Sequence, residues 1–135
     1  DICTSGDNAM TGQALYELAM DILALRFPDG DIPASCDDMT GRALGLINLL
    51  ITENAFLDAR LKKSDPAVVP ITALSDEIGQ SAEIVSRAMP YGLASLLILN
   101  ENATLASLLH GLYTAALNEI SHSYGAGVEQ IKEVY

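Results

Sequence analysis

Two histidines, two cysteines and two adjacent acidic pairs are the residues of this 135-residue chain whose types could support chemistry. His110 and His122 lie twelve residues apart with no acidic or cysteine companion at ligand spacing, so they predict no metal centre. Cys3 and Cys36 form no C-x-x-C pair; they suggest neither a disulfide framework nor a zinc site, and point to an intracellular, reducing compartment. Asp37/Asp38 and Asp76/Glu77 have the side chains of acid–base catalysts, but a working pair needs a base held within hydrogen-bond reach of its partner. Both pairs fall at expected helix starts or in a loop, which accounts for them without catalysis. A Gly-rich phosphate loop, H-E-x-x-H, G-x-S-x-G and a dinucleotide fingerprint are all missing. The expectation is a non-enzymatic protein that needs no cofactor or metal.

The elements around these residues read as helices. Half the residues are hydrophobic, Ala and Leu dominate, Trp is absent and Phe occurs twice, a balance that favours helix-on-helix packing over a sheet. The predicted fold is all-α: one small bundle of about four helices with a long irregular loop and a flexible C-terminal tail. A net charge of −11 repels phosphate, so tight nucleic-acid binding by a free monomer is not expected, whereas a basic partner is compatible. The longest charge-free apolar run, between Arg87 and Glu101, has 13 residues against the roughly 18 that a membrane span needs. DICTSGDNA lacks the basic start and apolar run of a signal peptide. Met10 is the expected natural start, with residues 1–9 an upstream extension or cloning remnant outside a domain at 10–124 and a tail at 125–135.

Thr11 is a candidate N-cap for a first helix whose stripe is Leu15, Leu18, Ala19, Ile22 and Leu25, ending near Arg26 ahead of FPDGDIP. Asp37 and Asp38 open a second helix that is apolar most of the way round and carries Asn48 in its middle. That amide is either a hydrogen-bonded core or partly exposed group, or a polar contact setting register between subunits. ARLKK, with Arg60, Lys62 and Lys63, is either a helix C-terminus whose dipole favours cations or a contact for a partner. SDPAVVPITALSDEIGQ, residues 64–80, is an irregular connection longer than the ~4–6 residues usual in compact domains.

RAMPYGLASLLILNE places Pro90 and Gly92 inside a buried helical pattern. Pro90 should bend the helix or start its main part, because an interior proline costs about 3 kcal/mol. Gly92 should ease the bend or admit another backbone, and Tyr91 is a kinked-helix core residue or a binding residue. Asn102 or Thr104 caps the last helix, with Leu105, Leu108, Leu109, Leu112, Ala116 and Ile120 as its buried face. Gly125 and Gly127 should end it. GVEQIKEVY then follows, frayed or ordered by a partner.

The order of these segments resembles the small helical head–tail connector (neck, adaptor or head-completion) proteins of tailed phages and prophages. The resemblance covers about residues 10–121 and rests most on the paired helices matched by Pro90–Ala94, Leu97–Glu101, Leu105–Leu109 and Tyr113–Leu117. It implies a bundle that joins copies of itself in a ring, commonly of twelve, beneath the portal protein, extending the DNA channel and meeting a tail or stopper protein. The implied location is the virion neck, with assembly in the host cytoplasm, packaged DNA passing without sequence-specific binding, and no membrane contact. Interface candidates under this reading are Arg60, Lys62, Lys63, Val68, Val69, Ile71 and Tyr91, with Val128, Ile131, Lys132, Val134 and Tyr135 in the tail. The alternative is a small acidic cytoplasmic helical module that binds or regulates another protein.

Overall fold

The structure, a computed structural model, describes residues 9–133 and the side chains of residues 9–123. It is an all-α bundle, and among the described residues the only extended pairing is one isolated antiparallel bridge between Thr11 and Glu77. Helix α1 is Gly12–Ile22, α2 Asp37–Glu53, α3 Ala55–Lys62, α4 Met89–Ile98 and α5 Ala103–Glu133. A short 3-10 turn, Ala34–Cys36, leads into α2, and a π-helical turn, Ile84–Ala88, leads into α4. The expected second helix is thus two helices, parted at Asn54.

α4 is the central element, packing against α1, α2 and α5. Its apolar composition dictates this, for Met89, Pro90, Gly92, Leu93, Ala94, Leu97 and Ile98 are all buried. Truncating a side chain such as the fully buried Leu93 would cost about 2–5 kcal/mol.

The π turn explains Pro90. The Met89 N–H reaches back five residues to the Ile84 carbonyl, and the widened turn supplies room that an α-turn would deny the proline ring beside the Ser86 carbonyl. Gly92 has a different role. A Cβ there would sit 2.9 Å from two ring carbons of Tyr113 and 3.1 Å from Leu50 Cδ2, so only glycine lets α5 and α2 close together over α4.

Caps follow from the sequence. The Thr11 hydroxyl accepts from the Ala14 N–H at 3.1 Å, and Asn102 Oδ1 accepts from the Leu105 N–H at 3.0 Å. α1 stops at Ile22, short of the expected Arg26, because Ala24 turns left-handed at φ 59°. Arg26 instead folds back to form ion pairs with Glu17 and Asp21 at 3.1 and 2.9 Å.

Two predicted stripes were rotated. In α1 the buried residues are Leu15, Tyr16, Ala19 and Met20, while Leu18 is exposed. Among the described side chains of α5 they are Ala106, Leu109, Tyr113 and Ile120, while Leu108 is 61% and Leu112 43% exposed. Tyr113 takes the inner position because its hydroxyl finds polar partners there. α5 also runs through Gly125 and Gly127 to Glu133, past the stop that those glycines predict.

Candidate functional site

Lys63, left-handed at φ 57°, ends α3 and begins the long connection to Ser81. Most of that connection is held by α1, α2 and α3. Asn48 makes two bonds to one loop residue, donating from Nδ2 to the Ile71 carbonyl at 3.0 Å and accepting at Oδ1 from the Ile71 N–H at 2.9 Å. The amide is thus the hydrogen-bonded, partly exposed group of the first reading, and its partner is the chain's own loop. Ile71 is 5% exposed and packs over Gly12, where a Cβ would lie 2.7 Å from Ile71 Cδ1.

The loop in turn caps α1. The N–H groups of Gly12 and Gln13 donate to the carbonyls of Asp76 and Leu74 at 3.0 and 2.7 Å, satisfying first-turn donors that have no partner within the helix. The Ile78 N–H donates to the Met10 carbonyl at 2.8 Å. Within the loop, the Asp76 carboxylate accepts from the Thr72 N–H, the Thr72 hydroxyl and the Ala73 N–H at 2.9, 2.9 and 3.0 Å. Those bonds, the Thr72 N–H foremost, hold its carboxyl below the ordinary aspartate value.

The far end of the loop is fixed by α2 and α3. Buried Asp58 accepts from the Ser81 N–H and hydroxyl at 2.7 and 2.8 Å, and Lys62 Nζ bridges Asp58 at 3.2 Å and the Gly79 carbonyl at 2.6 Å. Gln80 Nε2 donates to the Ile51 carbonyl at 2.7 Å.

What remains unclamped is a short arch, residues 65–70. These residues are exposed, and no backbone–backbone hydrogen bond engages them among the described residues. Pro66 and Pro70 restrict the backbone, and Val68 and Val69 are 49% and 68% exposed. A groove of about 200 Å³ beside the arch is lined by Asp58, Lys62, Asp65, Ala67, Val69 and Gln80. Arg60 and Lys63 flank Lys62 at the C-terminal end of α3. Arg60 Nη1 donates to the Ser121 hydroxyl at 3.1 Å, and neither Arg60 nor Lys63 has a carboxylate within ion-pair distance among the described residues.

The sequence-derived candidates therefore divide. Val68, Val69, Arg60, Lys62 and Lys63 gather at one end of the bundle. Ile71 is corrected from interface candidate to core residue, because its side chain is packed beneath the loop. Tyr91 is half-buried against the core cluster, on a different element from the arch. The side chains of Val128, Ile131 and Lys132, and all of Val134 and Tyr135, lie outside the described residues.

A second polar cluster was not anticipated. Asn54 Nδ2 donates to the Leu50 carbonyl at 2.9 Å and to the Tyr113 hydroxyl at 3.0 Å, and that hydroxyl donates to Glu53 Oε1 at 2.9 Å. Burial, with the Glu53 charge beside it, pushes the Tyr113 hydroxyl well above the ordinary phenol value. The cluster is a structural tie between α2 and α5. An Asn interrupting ITENAFL was its visible signal, as Asp58 four residues before Lys62 was for the loop clamp.

Among the described residues no group of three or more His, Cys, Asp or Glu could hold a metal ion, and no helix is long and apolar enough to cross a membrane. The arrangement at the arch offers apolar contact and cationic hydrogen bonding. No protein-family model matches the chain, and no curated protein or solved structure gives a significant match to it.

Proposed function

We propose that the protein is a structural head–tail connector of a tailed phage or prophage, assembling as a ring beneath the portal protein. The observation that carries this reading is the arch at 65–70. Side chains of α2 and α3 and backbone N–H groups of α1 fix the loop, yet its unclamped part presents two valines to solvent. Fixed flanks and two prolines restrict the backbone of this apolar segment, which lowers the ordering cost of association and suits an assembly protein. Further apolar surface is open at Phe56, 73% exposed, and along Leu108 and Leu112 of α5. The all-α architecture agrees with the connector resemblance, and a net charge of −11 suits a channel wall that DNA must pass without adhering.

The test is co-expression with the portal protein of the same genome, followed by electron microscopy of the purified complex. A ring of this chain on the portal is the expected result. A portal that purifies without it, or a one-to-one complex with a cellular protein, rejects the connector reading.

A further inference from the structure

The chain is electrically polarised along α2. Residues 58–65 hold Arg60, Lys62 and Lys63 against Asp58 and Asp65, a net +1 in a chain of net −11. The stretch from Phe27 to Asp38 holds Asp29, Asp31, Asp37 and Asp38 and no cation, a net −4. α3 follows α2 after the single residue Asn54, so the two stretches lie at opposite ends of α2, whose 17 residues span about 25 Å. Each carries exposed apolar surface: Val68 and Val69 beside the cations, and Phe27, 52% exposed, beside the carboxylates.

We propose that the arch and the basic end of α3 dock onto the Phe27–Asp38 region of a second copy of this chain, and that this head-to-tail contact builds the ring. The inference rests on the ring-forming part of the proposed function and adds to it the two faces that meet. Charge complementarity selects the occupant. Among the described residues Arg60 and Lys63 have no carboxylate within ion-pair distance, and the neighbouring copy supplies four carboxylates in the stretch that also exposes Phe27. Apolar surface then meets apolar surface, and opposite charges set direction. Because the two faces differ, the contact is heterologous, and such contacts propagate until they close on themselves. Face-to-face pairing of like regions is disfavoured, since it would set four carboxylates against four.

The experiment needs no portal, so its failure is separable from failure of the connector reading. One variant carries Arg60→Glu and Lys63→Glu; the other carries Asp29→Asn, which keeps an amide oxygen for the Asp31 N–H, and Asp31→Lys. Circular dichroism checks that both stay folded, and sedimentation at low and high salt measures association. The unaltered chain should self-associate, more weakly in high salt, and each variant alone should associate at least about tenfold more weakly. An equimolar mixture should form a one-to-one heterodimer and nothing larger, because each variant retains one working face. The acidic-face variant is the sharper case, for it lowers the net negative charge and would associate more strongly if only general repulsion mattered. A monomeric unaltered chain at every concentration, variants that associate as the unaltered chain does, or a mixture that stays monomeric would each overturn the proposal.

Discussion

Two asparagines of α2 and its boundary, Asn48 and Asn54, hold two very different regions. Asn54 is 2% exposed and ties α5 to the centre of the bundle through Tyr113, in a seam so close that Gly92 cannot carry a Cβ. Asn48 is half-buried and ties down a loop through one backbone residue. The seam secures the fold, because its polar atoms are desolvated and any loss leaves them unpaired in the interior. The loop clamps secure a surface. Their bonds are only part-buried, so the fold should survive losing them while the arch does not keep its shape.

Substitutions should separate the two. Gly92→Val has the largest expected effect, about 3 kcal/mol of stability or more, since the new atoms meet the Tyr113 ring and Leu50 at the junction of three helices. Thermal or urea unfolding measures it; a loss under about 1 kcal/mol would mean that the seam is looser than drawn. Tyr113→Phe should cost about 1–2 kcal/mol by removing the acceptor for buried Asn54. Asn48→Ala should cost about 1 kcal/mol, with loss of amide protection confined to the loop and the start of α1. If α4 and α5 amides also lost protection, the two regions would not be separate.

Acid offers a gentler probe of the loop. The Asp76 carboxyl titrates below its ordinary 3.8, so its stabilisation is complete above that value and is lost as pH falls through the lower folded value. Acid should therefore loosen the Thr72 and Ala73 amides, and Asp76→Asn should remove most of this pH response; hydrogen exchange between pH 5 and pH 2.5 reads both. Val68→Ser with Val69→Ser should change stability least, within about 0.5 kcal/mol, because both side chains face solvent. That pair should nonetheless abolish assembly.

How much of this was legible in the sequence depends on the range of the interaction. Thr11 and Asn102 as caps, the break at FPDGDIP and the irregular 64–80 connection are local, and residue type alone announces them. Pro90 announced a bend or the start of the main helix, and it does stand in the first turn of α4; the π turn ahead of it carries no signal in residue type. Gly92 signals an eased bend or the close approach of another backbone, yet what approaches is Tyr113, a side chain from the next helix. The rotation of α5 was hidden for the same reason. Leucine spacing favoured Leu108 and Leu112, and only the remote pair Glu53 and Asn54 turns Tyr113 inward. Ile71 carries no local sign of burial because its cover, Asn48 and Gly12, lies 23 and 59 residues away in the chain.

Amide hydrogen exchange followed residue by residue, in dilute protein and again as concentration rises, tests the division between clamp and arch most directly. In dilute solution the Ile71 and Ile78 amides should be protected while those of Ala67, Val68 and Val69 exchange freely, and the latter three should slow as copies associate. Equal exchange across residues 65–78 in dilute protein would contradict the clamp, and arch amides that stay fast in the assembled state would contradict its role as the docking segment.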